Sequence, residues 1–282
     1  MKTLEDRIKS TSTFILCFYL HILTQVIYLL PDNWNKAKIT YITIFNVSCT
    51  MIYIYLCLAH INKGFVIKMS ESELYLLGGD ITRNGKFCRR CDLFKPERAH
   101  HCSRCQKCIK KMDHHCPWIG ACVNHDNLGY FIRFLFFGAS SNILLFGYLM
   151  CIFVRKINEK KFQFGIFYTG MVFSLLLSFS LSFLLTFFFI FTFRNATKNI
   201  TYIEKLRYSD LKKYGMDIND NPYDRGAYKN IKDVLGKPKF LFLCGEKQNG
   251  IFYEKTYPCS EWPPYKFGRS VDENQIKDSD SY

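Results

Sequence analysis

Residues 173–193 read "FSLLLSFSLSFLLTFFFIFTF", consecutive positions without a charge and without a polar face. A helix rises about 1.5 Å per residue, so this run alone covers a hydrocarbon core of roughly 30 Å. A helix at a protein–water boundary would keep a polar stripe, and none is present. Working outward, the apolar stretch extends over 164–193, and 13–30, 39–59 and 131–154 match it. The 49% apolar content of the 282 residues is thus gathered into four spans. Lys2, Arg7 and Lys9 precede the first, as in a secretory signal. Its core is longer than a signal's and no small-residue cleavage site follows, so it reads as a retained anchor. Asn46 and Ser48 lie inside the second span and should face neighbouring helices rather than lipid.

Charge then sets an orientation. Of the 38 Lys and Arg, 3 precede the first span, 2 separate the first two, 12 lie in 60–130, 4 separate the last two and 16 fall in the tail, with Arg133 at a helix start. The positive-inside rule places the termini, 1–12 and 194–282, and the loop 60–130 in the cytosol, with helices over 13–59 and 131–193 between them. A net charge of +14 would otherwise suggest nucleic acid. Here the basic residues flank spans and suit an anionic leaflet, so no nucleic acid partner is expected. Cytosolic thiols stay reduced, which favours metal over disulfide for clustered cysteines.

The cluster is residues 88–124, "CRRCDLFKPERAHHCSRCQKCIKKMDHHCPWIGACVN". Seven of thirteen cysteines and five of seven histidines lie between Cys88 and His125. Cys-x-x-Cys steps occur at Cys88/Cys91, Cys102/Cys105 and Cys105/Cys108, and each lets two thiolates reach one ion with little backbone strain. Two zinc ions need about eight ligands, so at least one thiol is left over. Spacing does not say which residues share an ion: sequential and interleaved sets both remain open. The loop has little apolar content and should depend on metal to fold.

Asp113-His114-His115-Cys116 and the pattern around it, "CRRC", "KPERAHHCSRCQKCIKKMDHHCPW", Cys122-Val123 and Asn127, resemble the cysteine-rich domain of the DHHC family of protein S-acyltransferases over about 45 residues without a gap. The resemblance implies an all-α polytopic membrane protein: four transmembrane helices, with a small zinc-stapled cytosolic domain between the second and third. It implies interleaved sites, Cys88, Cys91, His101 and Cys108 around one structural zinc and Cys102, Cys105, His115 and Cys122 around the other. Cys116 is then free. It also implies a two-step palmitoyltransferase reaction, in which Cys116 takes an acyl group from palmitoyl-CoA or a similar acyl-CoA and passes it to cysteines of membrane-associated proteins, in an endomembrane such as the ER or Golgi. A catalytically inactive zinc-stapled adaptor is the alternative, and a zinc-dependent transporter fits less well because the last two spans carry only Arg133.

The residues fit that chemistry. A free thiol has a pKa near 8.5 and needs a base at neutral pH, for which His114 is the candidate, with Asp113 orienting its ring. Closed zinc sites leave no position for water and serve as scaffold. Lys95 and Arg98, with His100, could meet a CoA phosphate, or belong to a solvated loop binding lipid head groups. Ser140 and Ser141 fall about 15 Å into the third span, where small residues leave room for a long chain or form helix contacts.

Two tail elements extend the resemblance. Thr201-Tyr202-Ile203-Glu204 stands where members carry Thr-Thr-x-Glu, and Asn221-Pro222-Tyr223-Asp224, with Asn230, matches an Asn-Pro-Phe-Asp segment. Departures are Tyr202 for Thr, Asn124 for Gly, and "LLGGD" where Asp-Pro-Gly is expected. No internal repeat is visible.

Overall fold

The computed structural model describes residues 4–26, 35–70, 86–159, 165–236, 250–259 and 262–264. The "LLGGD" departure lies outside them. The chain divides into two compact units, Ile8–Leu58 with Tyr130–Thr192, and Met1–Arg7 with Ala59–Gly129 and Phe193–Tyr282.

The first unit is helical. α1 (Leu4–Phe18) runs into a π-helical turn at Tyr19–Leu23, followed by α2 (Lys36–Ile61), α3 (Leu128–Asn158) and α4 (Ile166–Thr197). Among the described residues α2, α3 and α4 are long and apolar enough to cross a membrane. The expected first span runs partly through residues outside the described set. Leu20, Phe45, Cys49, Leu145, Leu149 and Met171 form the buried centre. Several polar groups inside the spans turn inward, while Thr43, Thr50, Ser180 and Ser182 bond carbonyls of their own helix. Asn46 exchanges hydrogen bonds with Gln25 and meets His21 Nε2 at 2.8 Å. Ser141 donates to Ser48 at 2.7 Å, and Tyr41 donates to the Leu144 carbonyl at 2.8 Å. α4 shows the reverse face, with Phe173, Leu176, Phe179, Phe183 and Phe187 all exposed. No water-facing helix carries such a stripe at low cost.

The second unit corrects the all-α expectation. Its cysteine-rich part is three antiparallel hairpins: β1 (Lys86–Cys88) with β2 (Leu93–Lys95), β3 (His100–Cys102) with β4 (Lys107–Ile109), and β5 (His114–Cys116) with β6 (Ala121–Val123). The hairpins also correct the reading of no repeats, since they begin at 86, 100 and 114 and share one register. Each turn bends through a positive-φ residue at the same place, Asp92, Gln106 and Gly120. Strands this short bury little apolar surface, and what they do bury gathers around the cysteines, as at Ile109, Met112 and Ile203.

Around the hairpins sit α5 (Tyr202–Lys213) and α6 (Ala227–Leu235). "TYIE" opens α5 as a capping box: Thr201 Oγ1 accepts the Glu204 N–H, and the Glu204 carboxylate accepts the Thr201 N–H. Asn230 is fully buried, donating to Thr197 O and Asp224 Oδ1. Asn124 has a role that glycine could not fill. Its side chain bonds the carbonyls of Asn62 and Cys122 and accepts the Asp126 N–H. Gly64, at φ 59°, makes room: a Cβ there would sit 2.1 Å from Asn124 Oδ1.

Candidate active site and metal clusters

The hairpin register partitions the ligands. Cys88, Cys91, His101 and Cys108 bring their ligand atoms within 4.8 Å of one another, and so do Cys102, Cys105, His115 and Cys122. One hairpin turn supplies a Cys-x-x-Cys pair, and the next hairpin supplies a cross-strand His–Cys pair, His101 opposite Cys108 or His115 opposite Cys122. In the first cluster His101 Nδ1 lies 3.5, 3.3 and 4.0 Å from the sulfurs of Cys88, Cys91 and Cys108. In the second, His115 Nδ1 lies 3.6, 3.4 and 3.5 Å from those of Cys102, Cys105 and Cys122. A tetrahedral zinc with Zn–S of about 2.3 Å and Zn–N of about 2.0 Å puts such atoms roughly 3.6 Å apart. The donor sets therefore fit zinc without rearrangement.

The third turn breaks the pattern. Cys116 occupies the place of Cys88 and Cys102, but Ile119 stands where Cys91 and Cys105 stand in the others. Among the described residues no further hairpin follows to supply a His–Cys pair, and α3 begins at Leu128. Cys116 is thus a knuckle thiol without a metal partner set.

Strand alternation places the remaining groups. Residues two apart share a face, so on β5 His115 points to its cluster while His114 and Cys116 share the other side. His114 Nδ1 is 2.8 Å from Asp113 Oδ2, and its ring also hydrogen-bonds to Cys116. Burial opposes charge on this imidazole, but the Asp113 and Cys116 bonds prevail and raise its pKa to about 10. Asp113 is itself fixed: its Oδ1 accepts the backbone N–H of Tyr202 at 2.8 Å. The replaced position of the capping box thus acts through the main chain, which any residue but proline provides.

Lys95 and Arg98 are expected from the sequence to meet a CoA phosphate. Both are buried, and the Arg98 side chain is only 1% exposed. Its guanidinium grips Glu204 through two bonds of 2.6 and 2.7 Å, bonds Asn199 through two more, and lies 4.0 Å over the Tyr223 ring. Burial alone would raise the Glu204 pKa; the Arg98 charge and hydrogen bonds outweigh it and hold the carboxyl below its usual range. Lys111, which the sequence reading passed over, joins the network through Asn199 at 2.7 Å. Desolvation, with the like charge of Arg98, lowers its pKa to about 7. Tyr223 of the Asn-Pro-Tyr-Asp segment closes the group by donating to Glu97 at 2.7 Å. Glu204 and Asn199 lie about a hundred positions from Arg98, so only the capping-box pattern hinted at them.

The family description "DHHC palmitoyltransferase" matches residues 81–209, which contain both clusters, Cys116 and the capping box. This segment is similar to the DHHC palmitoyltransferase family. Among curated proteins, the chain is 35% identical to probable protein S-acyltransferase 16 of Arabidopsis thaliana, over 61% of this chain and 60% of that one. It is 29% identical to palmitoyltransferase ZDHHC20 of Bos taurus, over 83% of this chain and 70% of the relative. To palmitoyltransferase ZDHHC2 of Danio rerio it is 36% identical, over 56% and 43%. The chain spans 37–60% of the length of the three Arabidopsis S-acyltransferases it matches.

Proposed function

We propose that this chain is a membrane-embedded protein S-palmitoyltransferase of the DHHC family. One observation carries the reading: a cysteine left out of two complete metal clusters shares a strand face with a histidine whose other nitrogen is held by a fixed carboxylate. That is the arrangement of nucleophile, base and orienter.

In the first step the Cys116 sulfur, its proton already held on the His114 ring that Asp113 and Cys116 keep protonated, attacks the thioester carbonyl of a long-chain acyl-CoA. The C–S bond to CoA breaks, and the CoA thiolate leaves with that proton. In the second step a cysteine thiol of a membrane-associated protein gives its proton to His114 and attacks the acyl-enzyme. Cys116 leaves as thiolate, and the proton stays on His114. One thioester replaces another at each step, so no external energy is required. Asp113 keeps the His114 ring in one orientation throughout, and the Tyr202 N–H keeps Asp113 there. Zinc in the two clusters would supply cross-links, with Cys88, Cys91, His101 and Cys108 holding one ion and Cys102, Cys105, His115 and Cys122 the other.

The acyl chain would lie among the spans. A small pocket between the spans, bordered by Cys17, Leu20, Phe45, Cys49, Ser141 and Leu145, supports this reading. The charge distribution supports a cytosolic zinc domain and cytosolic termini, and an endomembrane such as the ER or Golgi suits such substrates.

Purified protein incubated with palmitoyl-CoA should gain one hydroxylamine-labile acyl group, and Cys116→Ser should gain none while keeping its zinc. Wild-type protein with two zincs and no label would instead favour the inactive adaptor.

A further inference from the structure

The second metal cluster has a neighbour outside the cysteine-rich sequence. Asp6, on α1, is 1% exposed, and its Oδ2 lies 3.4 Å from His115 Nε2, the ring nitrogen opposite the one facing the three sulfurs. Arg104, in the turn between Cys102 and Cys105, points Nη1 at Asp6 Oδ1 at 3.8 Å and at Glu5 Oε2 at 3.2 Å. Asp6 therefore reaches both halves of the cluster, the histidine on β5 and the turn that carries the Cys-x-x-Cys pair.

A metal-bound imidazole coordinates through one nitrogen and carries a proton on the other, and an acceptor for that proton fixes both tautomer and ring plane. Three thiolates and a divalent ion leave the cluster with net negative charge. A second carboxylate beside it is tolerable only with a compensating cation, and Arg104 stands there.

We propose that Asp6 is the outer-sphere carboxylate of the Cys102–Cys105–His115–Cys122 site, accepting the His115 Nε2 proton and so making the segment ahead of the first span part of the metal site. Because His115 lies between His114 and Cys116 on β5, the orientation of its ring sets the strand that carries the reacting groups. Asp6 is a positioning residue: it acts on His115 and through it on the strand.

The inference rests on the metal reading of the cluster and is tested by metal affinity, independently of acyl transfer. Full-length protein in detergent micelles is titrated with a chromophoric zinc chelator, and the two zincs are followed separately by their release. Asp6→Ala should weaken one of the two sites by about 10- to 100-fold and leave the other unchanged. Asp6→Asn, which keeps the volume and an acceptor oxygen but not the charge, should fall between Asp6→Ala and wild type. Glu5→Ala should match wild type, because its contact to the half-exposed Arg104 contributes little. Zinc release from both Asp6 variants indistinguishable from wild type would overturn the proposal, and so would equal weakening of both sites. Should Asp6→Ala fail to fold, Asp6→Asn decides by the same criteria. A wild-type protein without zinc would instead sink the metal reading itself.

Discussion

At the scale of single residues, charge type misleads where burial decides. Arg98 looks like a surface cation in a basic loop, and it is a buried half of an ion pair whose partner lies over a hundred residues away. Breaking such a pair leaves an uncompensated charge, so Arg98→Ala should cost about 3–5 kcal/mol. Arg98→Met with Glu204→Leu should recover most of that, because both charges leave together. Thermal unfolding in detergent measures each, and equal destabilisation of single and double variants would argue against the buried pair. Lys111 offers a pH signature. Its pKa is about 7 in the folded protein and near 10.4 when unfolded, so between those values the unfolded chain holds one more proton. Stability therefore rises with pH across that window, by up to about 1.4 kcal/mol per unit from this group. Lys111→Met should lose that slope, whatever it does to stability at one pH. Unfolding free energies at pH 7.5 and 9.5 test it, and an unchanged slope would contradict the burial described.

At the scale of elements, the sequence made the metal donors legible and hid the strands that carry them. Two-residue alternation needs an apolar face, and these three-residue strands are fixed by Cys and His instead. The repeat of hairpins was invisible for a related reason. Equivalent positions do not all match, Phe87 standing where His101 and His115 stand and Ile119 where Cys91 and Cys105 stand, because the outer hairpins each serve one cluster and the middle one serves both. Adjacency of Asp113, His114 and Cys116 was readable, but whether the side chains met depended on β5 being a strand. The capping box was legible only as a family likeness, and its geometry changes what Tyr202 means. Proline at 202 would occupy the first helical position, follow an extended Thr201 at φ −84° and ψ 161°, and lack the N–H that holds Asp113. Tyr202→Pro should fold and keep zinc, yet lose about 10- to 150-fold in acyl transfer, the worth of a hydrogen bond to a charged group. Tyr202→Thr should be nearly silent. A strong loss in the threonine variant would move the role from main chain to phenol.

At the scale of the whole molecule, two units are stabilised by different physics. The helical unit has apolar packing and interhelical hydrogen bonds, and the other has two Cys/His clusters able to hold metal and a buried ionic network. Chelation should therefore abolish acyl transfer and loosen the hairpins while helical circular dichroism persists. A chelator that collapses the helical signal as well would show the units to be less independent. Membrane character was plain from 173–193 alone, whereas Ser141 had two readings in the sequence, of which the structure shows the helix contact, its bond to Ser48, beside a small pocket that it borders. Ser141→Phe should fill that space and shift preference from palmitoyl toward shorter chains, seen as a changed ratio of kcat/KM for myristoyl-CoA over palmitoyl-CoA. The central claim is that Cys116 is the one knuckle thiol kept from metal. Peptide mapping by mass spectrometry, after brief reaction with palmitoyl-CoA and alongside zinc analysis of the same sample, tests it most directly. An acyl group on Cys116 with two zincs bound is expected, with two zincs still bound in Cys116→Ser; acylation confined to another cysteine, or loss of a zinc from Cys116→Ser, would contradict that role.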